Sequence, residues 1–409
     1  MTWTGQGYII RSVITGYRPL EKGIAAFSLV CFLLASSLCA SVQAWELDKT
    51  WRRSVADGVE FTHYRMLFQR GPAHIFVVEV NPVSSYSLKP VIANDRIGTL
   101  EEVSSIAKRS GAVAAINGGF FDTRSHLPVG LIGIKRRILY NQWLNRAVLG
   151  IDEMGFAHFG TFRLSAEAYF PTVNKTIPIQ GFNRPRKDSE VICYYPEYGP
   201  RTKTNEWGVE VICRRISPQS TYYPFAVLEP ERYLITTVNR RATDIPSDGL
   251  VLSFHMSLVK NIDWLDDVML GDEMIVRTNL PKEWEGYPYL LGGGPMLVSN
   301  GAIVLNAAKE NFRASYNTPT ARTAVGKTIE GNMLIVVVDS GSKDYSIGAT
   351  WDELANAMIG LYKMDDLMGF DGGGSSTMYV EGRVANEPKD GGERKVSNIL
   401  AVVPYNEFL

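Results

Sequence analysis

The sequence predicts an α+β fold, with a mixed, twisted β-sheet as its core and a few helices and glycine-rich loops that form one cleft. Three features indicate this fold: short β-branched or alternating runs along most of the chain, two helical patterns that open at capping-box motifs, and glycine-rich loops that directly follow apolar strands. Nothing in residues 160–290 has the composition of a linker, so we predict that residues 45–409 form a single domain.

The composition is typical of a globular protein, since 45% of the 409 residues are hydrophobic and 21% are charged. The formal net charge is −1, which provides no overall field that would attract nucleic acid or an anionic membrane surface. The sequence also contains no basic run, zinc-finger spacing or Walker loop. We therefore expect no nucleic-acid partner.

Residues 1–44 are predicted to be a signal peptide that is not part of the fold. Three basic residues precede the uncharged apolar stretch 23–38, and small residues stand at Val42 and Ala44, where a signal peptidase requires them. We therefore expect export to the periplasm or the extracellular space. An uncleaved membrane anchor is the alternative, because the uncharged stretch approaches the roughly 20 residues that a membrane span needs.

In the first half of the remaining chain, residues 59–68 and 74–80 show the alternation and the β-branched content of strands. Segment 99–102 has the spacing of a capping box and precedes apolar residues at helical spacing. A strand of the buried type at 112–116 then leads into the glycine-rich loop that begins at Asn117.

The second half repeats this order. Segment 350–353 is a second capping box, and the helix that follows leads to an apolar strand and then to Asp371. Helix, strand and glycine-rich loop thus occur twice, ending at Asn117 and at Asp371, which suggests a degenerate internal repeat whose loops converge on one site. A third glycine-rich loop, at 292–294, also lies between apolar runs.

Cys193 and Cys213 are the two cysteines that follow the predicted signal peptide. Both lie in β-type runs, at 191–195 and 209–213, that could pair as a hairpin. Because disulfides are favoured in exported proteins, we predict a disulfide between these two cysteines. Two buried free thiols are the alternative.

The stretch from Asp371 to Thr377 is the strongest candidate for a functional site. Three consecutive glycines, which cost backbone entropy and build no core, separate the Asp371 carboxylate from the hydroxyls of Ser375, Ser376 and Thr377. Glycines let a ligand approach the main chain closely and can leave backbone N–H groups free to bind an anion. A tight structural turn is the alternative interpretation.

Four motifs follow one another in the chain, beginning at Asn117 (Asn-Gly-Gly-Phe-Phe), Gly292 (Gly-Gly-Gly-Pro), Arg322 (Arg-Thr-Ala-Val-Gly) and Asp371 (Asp-Gly-Gly-Gly-Ser-Ser-Thr). In this order they resemble the phosphodiester glycosidase family, and the resemblance extends over most of the chain. It implies a hydrolase that removes a sugar from a phosphodiester. Bacterial members of the family are often associated with exopolysaccharide.

The resemblance implies cleavage of the C1–O bond of a sugar-1-phosphodiester or a related glycan, in envelope or exopolysaccharide metabolism. This reaction expels a phosphate monoester, so the enzyme must stabilise a leaving anion and an oxocarbenium-like centre, and must direct a water or a carboxylate to C1. We expect Asp371 to act as base or nucleophile, with Asp122 or Glu210 as a second carboxylate. Arg322 is expected to grip the phosphate oxygens.

The expected substrate-binding residues lie in or beside these motifs: Asn117, Gly118, Gly119, Gly293, Gly294, Thr323, Asp339, Gly372, Gly373, Ser375, Ser376 and Thr377. No cofactor is expected, because the five histidines show no metal-binding spacing. A divalent cation held by Asp339 and Asp344 is an alternative. The chain departs from the family pattern here, since Asp339 is followed by Ser340 and Gly341 where relatives tend to carry glycine and arginine.

Two other classes of function fit the same residues. A non-catalytic glycan-binding or cell-wall-binding protein could use the glycine-lined cleft without turnover. A metal-dependent phosphodiesterase would break the P–O bond instead of the C–O bond. Sensitivity to EDTA, and the product that takes up oxygen-18 from labelled water, distinguish such a phosphodiesterase from a glycosidase.

Overall fold

The computed structural model describes residues 45–142, 144–216, 231–259, 263–313 and 317–405. The predicted signal peptide, residues 1–44, lies outside these ranges, so its cleavage stays a prediction. Within these ranges, no helix is both long enough and apolar enough to cross a membrane.

The strands of the described ranges are, in chain order, β1 (Trp45–Ala56), β2 (Val59–Phe68), β3 (Gly71–Val80), β4 (Tyr86–Ile92), β5 (Ala114–Asn117), β6 (Phe120–Phe121), β7 (Pro128–Val129), β8 (Ile132–Ile134), β9 (Arg137–Tyr140), β10 (Arg146–Ile151), β11 (Ala157–Phe162), β12 (Ala166–Phe170), β13 (Lys175–Ile179) and β14 (Gly181–Phe182). They continue as β15 (Val191–Tyr194), β16 (Gly208–Arg215), β17 (Glu231–Asn239), β18 (Gly249–His255), β19 (Glu273–Thr278), β20 (Tyr289–Gly292), β21 (Met296–Ser299), β22 (Ala302–Ile303), β23 (Arg322–Thr328), β24 (Met333–Val338), β25 (Met364–Gly369), β26 (Met378–Val380), β27 (Arg383–Val384) and β28 (Asn398–Pro404).

The helices of the same ranges are α1 (Val103–Arg109), α2 (Met256–Val259) and α3 (Trp351–Tyr362). Short 3₁₀ turns occur at Ala93–Asp95, Pro196–Tyr198, Asp263–Asp267, Lys282–Trp284 and Gly373–Ser375.

The strands pair into four larger sheets. The main sheet has the order β1-β2-β3-β24-β23-β25-β21-β22, and the second sheet has the order β13-β12-β19-β17-β16-β18-β15-β14. The third sheet has the order β11-β10-β20-β8-β9, the fourth has the order β27-β26-β5-β28-β4, and β6 pairs with β7. Neighbouring strands are nearly always antiparallel, whereas β14 and β15 run parallel.

The protein is therefore mostly β, and the predicted α+β class holds only loosely. The expectation of one mixed sheet is corrected, because the strands are divided among several sheets and pair almost entirely in antiparallel fashion. The physical reason lies in the connections. Short turns join consecutive strands such as β2 and β3 or β12 and β13, and short turns can join antiparallel neighbours only, since parallel strands need a longer crossover.

The main sheet separates two hydrophobic clusters, because alternate residues of a strand point to opposite faces. On one face, Ala324 and Leu367 pack with α3, whose Trp351 is fully buried. On the other face, Val325 and Met368 join a larger cluster that extends into the second and third sheets. Each large apolar side chain buried in this way contributes roughly 1.5–3 kcal/mol to stability. This layered core holds the strand ends that carry the predicted site residues.

The second predicted capping box is confirmed at the start of α3. The Thr350 hydroxyl accepts a hydrogen bond from the Glu353 N–H at 3.1 Å, and the Glu353 carboxylate accepts one from the Thr350 N–H at 2.8 Å. The box predicted before α1 is wrong. The Thr99 hydroxyl donates to the carbonyl oxygen of Ala93, and the helix starts after Glu102 without a side-chain cap.

The predicted disulfide between Cys193 and Cys213 is wrong. Cys193 lies in β15 and Cys213 in β16, and both strands pair with β18, which runs between them. Strands two positions apart are separated by roughly 9–10 Å, beyond the about 7 Å that a disulfide can span between Cα atoms. Both cysteines are free and buried, and burial raises the pKa of each thiol.

We expect both thiols to be protected in the folded protein and reactive after unfolding, because a buried thiol with a raised pKa forms little thiolate. Unfolding without reductant in the presence of iodoacetamide, followed by peptide mass spectrometry, should find the adduct on both peptides. A peptide pair linked through Cys193 and Cys213 would contradict the strand order of the second sheet.

Candidate active site

The side chain of Asn117 joins three segments of the chain. Asn117 ends β5 and is fully buried. Its Nδ2 donates to the carbonyl oxygen of Asp371 at 2.7 Å, and its Oδ1 accepts hydrogen bonds from the Thr323 hydroxyl at 2.8 Å and the Thr377 N–H at 3.2 Å. The Thr323 hydroxyl also lies 3.0 Å from the Ser376 hydroxyl. The loops that begin at Asn117 and Asp371 therefore meet, in what we call the Asn117 junction.

The Asp371 carboxyl group stands at the Asn117 junction. The Ser375 hydroxyl donates to its Oδ2 at 2.7 Å, and the Gly372 N–H also donates to it. The residue keeps some exposed surface, but the surrounding protein withdraws the carboxyl group from water, and this burial raises its pKa to about 6. A carboxyl group that titrates near neutral pH can serve as base, nucleophile or acid.

A left-handed glycine shapes the turn after Asp371. Gly373 has a φ of 64°, which residues with a side chain rarely adopt. This conformation bends the chain so that Ser375 reaches back to the carboxyl group four residues earlier. The glycine run therefore positions the hydroxyl that donates to Asp371.

Other glycines allow the main chains of the three loops to touch. A Cβ on Gly119 would overlap the carbonyl oxygen of Gly292, and a Cβ on Gly293 would lie 2.7 Å from the carbonyl oxygen of Gly369, which ends the strand before Asp371. Any larger residue at these positions would push the loops apart. The glycine-rich loops at Asn117, Gly292 and Asp371 are thus packed against one another.

The N–H groups of several of these glycines are already bonded inside the protein. Gly118 donates to the carbonyl oxygen of Asn398 at 3.0 Å, and Gly119 donates to the Oδ1 of the same residue at 2.9 Å. Gly293 and Gly294 donate to other main-chain carbonyl oxygens. An anion-binding nest at Gly118 and Gly119 does not fit this geometry, because the N–H groups that would hold the anion are occupied.

Arg322 points to the face of the main sheet that carries α3. Neighbouring residues of a strand point to opposite faces, and Thr323 faces Asn117. The Cζ atom of the Arg322 guanidinium lies 4.2 Å from the ring centroid of Trp351. The Nε of Arg322 donates to the carbonyl oxygen of Ala349 at 2.9 Å. These contacts support the start of α3 and do not bring the guanidinium to the Asp371 carboxyl group.

Arg394 is a candidate that the sequence analysis missed. Arg394 Nη2 lies 2.6 Å from Asp390 Oδ2. Both groups pack against Gly374, because a Cβ on this glycine would overlap each of them. After the Ser375 hydrogen bond, the positive charge of Arg394 is the next influence that lowers the pKa of Asp371. The surrounding stretch is polar and has the composition of a solvated loop. The local sequence pattern therefore carries no signal that marks Arg394.

Asp122 lies in a turn after β6. Its Oδ1 accepts hydrogen bonds from the Ser125 N–H at 2.7 Å, the Ser125 hydroxyl at 3.0 Å and the Arg124 N–H at 3.0 Å. The bond from the Ser125 N–H contributes most to a lowered pKa of Asp122. Within the described ranges, no hydrogen bond joins Asp122 to Asp371, and the hydrogen bonds of Asp122 stabilise its own turn.

Glu210 lies in β16 of the second sheet and is buried. Its carboxylate accepts hydrogen bonds from the hydroxyls of Thr202, Thr204, Thr243 and Ser253, and from the N–H of Thr243. Five donors satisfy a buried carboxylate that would otherwise be costly. All of these partners belong to the second sheet and its loops, and within the described ranges none belongs to the Asn117 junction.

Asp339 supports the loop after Asp371 through Asn386. The Asp339 carboxylate accepts hydrogen bonds from Asn386 Nδ2 and from the Tyr345 hydroxyl, both at 2.7 Å, and burial raises its pKa to about 6. Asn386 Nδ2 also lies 3.2 Å from the carbonyl oxygen of Ser376. Asp344 is exposed, and the described part of the chain contains no group of three or more residues arranged to hold a metal ion.

Residues 232–403 match the family model of phosphodiester glycosidases, which confirms the predicted resemblance over the part of the chain that carries the motifs at Gly292, Arg322 and Asp371. The bovine N-acetylglucosamine-1-phosphodiester alpha-N-acetylglucosaminidase is 28% identical over 152 residues, which are 32% of this chain and 27% of that protein. The chain thus spans about a quarter of the length of the curated relatives it matches. The matched region contains Asp371 and Arg394, whereas Asn117 precedes it.

Two solved structures share the fold. A hypothetical protein from Synechocystis has a TM-score of 0.67 at 21% identity, over 84% of this chain and 62% of its own. A protein from Burkholderia pseudomallei K96243, named as a candidate exported protein, has a TM-score of 0.67 at 17% identity, over 88% of this chain and 97% of its own. At these identities the likeness shows the fold alone.

Asn117→Ala should destabilise the protein, because it leaves the buried partners of the amide unpaired. We expect the free energy of unfolding, measured by urea denaturation, to fall by about 3 kcal/mol. The matched control is Asn356→Ala, since Asn356 is partly exposed in α3 and donates one hydrogen bond within its own helix. This control should change stability by less than about 0.5 kcal/mol. Wild-type stability of Asn117→Ala would contradict the central role of the amide.

Proposed function

We propose that the protein is an exported hydrolase that cleaves the C1–O bond of a sugar-1-phosphodiester, in envelope or exopolysaccharide metabolism. The observation that carries this proposal is the Asp371 carboxyl group. It stands in the region that matches phosphodiester glycosidases, burial raises its pKa to about 6, and a cation lies beside it. A buried carboxyl group and a guanidinium are the two charges that this reaction requires.

Asp371 is the proposed base or nucleophile. Above a pH of about 6 the carboxyl group is ionised and can attack C1 or activate a water. Its negative charge also stabilises the oxocarbenium-like centre that forms as the C1–O bond breaks. The Ser375 hydroxyl and the Gly372 N–H hold the carboxylate in one orientation during these steps.

Arg394 is the proposed phosphate-binding residue. A guanidinium can bind two phosphate oxygens through parallel hydrogen bonds, and the leaving group is a phosphate monoester anion. Arg394 is exposed and adjoins the Asp371 loop, whereas Arg322 is buried on the other face of the main sheet. Arg394 thus offers a cation in a chain that has Gly341 where relatives tend to carry arginine.

The remaining predicted residues divide by exposure. Gly372 and Gly373 are partly exposed beside Asp371 and can lie under the substrate. Asp122 is the better candidate for a second carboxylate, because it reaches solvent and lies in the segment after Asn117, whereas Glu210 is buried and fully hydrogen-bonded. The buried residues of the Asn117 junction hold the loop in place.

The relatives suggest the first substrate to test. Because the matched curated proteins are named for an α-linked N-acetylglucosamine on a phosphodiester, the methyl diester of α-N-acetylglucosamine-1-phosphate is the simplest choice. The proposal of export is supported by the predicted signal peptide and by the structural neighbour named as a candidate exported protein.

Incubation of the full chain with this diester in oxygen-18 water tests the proposal. Label in the released sugar indicates cleavage of the C1–O bond. Label in the phosphate, together with loss of turnover in EDTA, indicates a metal-dependent phosphodiesterase instead. Binding of the diester without turnover indicates a glycan-binding protein.

Asp371→Asn should lower kcat/KM by about a hundredfold or more, because it keeps the shape of the side chain and removes the charge. The kcat/KM of the wild type should fall as pH decreases through about 6, since protonation of Asp371 removes the same charge. The control is Asp57→Asn, which neutralises an exposed carboxylate between β1 and β2. Near wild-type turnover in a well-folded Asp371→Asn protein would show that another carboxylate acts at C1.

Arg394→Gln should lower kcat/KM for the phosphodiester by about a hundredfold, and should lower it less for an aryl glycoside, whose leaving group has no phosphate. The acidic limb of the pH profile should move to higher pH, because the charge that lowers the pKa of Asp371 is lost. Lys395→Gln is the matched control, since Lys395 is an exposed neighbour of equal charge. An equal loss on both substrates would argue against a phosphate contact.

A further inference from the structure

A cavity of about 370 Å³ lies at the opposite end of β23 and β25 from the candidate active site. Its lining comes from β11, from the segment 281–287, and from Lys327 and Asp366. Thr323, at the Asn117 junction, is four residues before Lys327 on β23, so the two positions are roughly 13 Å apart along the strand. The volume is within the range of about 300–1,000 Å³ that is usual for small-molecule sites. We call this space the Lys327 cavity.

A row of aromatic rings forms one wall of the Lys327 cavity. The ring centroids of Phe162 and Trp284 are 5.0 Å apart, those of Trp284 and Tyr287 are 5.4 Å apart, and those of Tyr287 and His158 are 4.9 Å apart. A Cβ on Gly160 would lie 2.8 Å from Trp284, so the glycine leaves space for the indole. Neighbouring rings are inclined to one another by 43–59° and Trp284 is buried, so the partly exposed rings of Phe162, Tyr287 and His158 supply the aromatic part of the lining.

An ion pair between Lys327 and Asp366 forms another part of the cavity lining. The neighbouring residues on the same face of the main sheet are apolar. Val325 of β23 and Met368 of β25 are buried in the core. The next pair on the same face, toward the cavity, is Lys327 of β23 and Asp366 of β25. Lys327 Nζ lies 3.4 Å from Asp366 Oδ2 and 3.2 Å from Asp365 Oδ2. The side chain of Asp366 is 12% exposed and that of Lys327 is 25% exposed, so both charged groups can reach a ligand in the cavity. A partly exposed ion pair contributes little to stability, and here it adds hydrogen-bond donors and acceptors to the lining.

The lining of the Lys327 cavity suits a sugar. An aromatic wall can cover the C–H face of a sugar ring, while the carboxylate of Asp366 and the ammonium of Lys327 can bond to neighbouring hydroxyls. With Glu283 on the exposed side, the charges near the cavity sum to a negative value, which disfavours a phosphate. We propose that the Lys327 cavity binds one uncharged sugar ring and is a carbohydrate site separate from the candidate active site. This inference goes beyond the proposed function, because it does not require hydrolysis.

Binding to the full chain can be measured by saturation-transfer NMR with glucose, galactose, mannose and the N-acetylated forms of glucosamine and galactosamine. The cavity variants are Tyr287→Ala, Glu283→Gln and Asp366→Asn, and a thermal melt accompanies each of them. The candidate active site is represented by Asp371→Asn and Arg394→Gln. Glu283 is exposed, so Glu283→Gln keeps the test valid where a more buried variant fails to fold.

We expect at least one of these sugars to bind, and we expect the folded cavity variants to bind it about tenfold more weakly, through loss of stacking or of a hydrogen bond to a charged group. The active-site variants should bind it as the wild type does, and the cavity variants should keep wild-type turnover of the small phosphodiester. The opposite pattern, with loss only in Asp371→Asn and Arg394→Gln, would place the sugar in the active site and overturn the proposal. Binding of none of the five sugars would also overturn it.

Discussion

The hydrogen bonds of the Asn117 amide hold together parts of the chain that are far apart in sequence. Asn117 ends β5 in the fourth sheet, whereas Thr323 lies in the main sheet and Asp371 directly follows a strand of that sheet. Because the amide is fully buried, each bond is obligatory, and an unpaired group there would cost about 1–3 kcal/mol. A displacement of one loop therefore leaves polar groups unpaired in the others. The carboxyl group of Asp371 takes its position from this constraint, through a bond to its own main-chain carbonyl.

The close packing of the loops also decides where charge can be placed. Glycines bring the main chains into contact, but the contact uses many of the N–H groups that an anion would need. Positive charge must then come from side chains such as Arg394. Burial has a cost for Asp371 itself. Between its ordinary pKa and about 6, the folded state binds the proton more strongly than the unfolded state does, so this group alone lowers stability as pH rises. Burial raises the pKa of Asp339 to about 6 as well, so Asp371 differs from that supporting residue by keeping exposed surface beside Gly372 and Gly373.

Local patterns allowed correct prediction of elements that depend on local physics. The capping box at Thr350 is such a case, because both of its hydrogen bonds join residues three apart. The box predicted at Thr99 failed because the hydroxyl bonds to the carbonyl oxygens of Ala93 and Arg96 in the preceding turn, and the helix begins only after Glu102. The position of Cys213 depends on which strand lies between β15 and β16, and alternation within a strand does not reveal its neighbours. Arg394 was missed because the polar stretch around it has the composition of a solvated loop, and nothing in that local pattern shows that the stretch folds back onto Gly374.

One register of β23 and β25 positions both the candidate active site and the Lys327 cavity. Thr323, Val325 and Lys327 share one face of β23, and they lie in turn at the Asn117 junction, in the core and at the cavity. Because side chains alternate with a period of two, a slip of one residue would move all three to the other face. The apolar layer around Val325 and Met368 therefore fixes the polar residues at both strand ends. The same layer separates their charged groups, so the two sites can share a structural constraint and still bind their ligands independently.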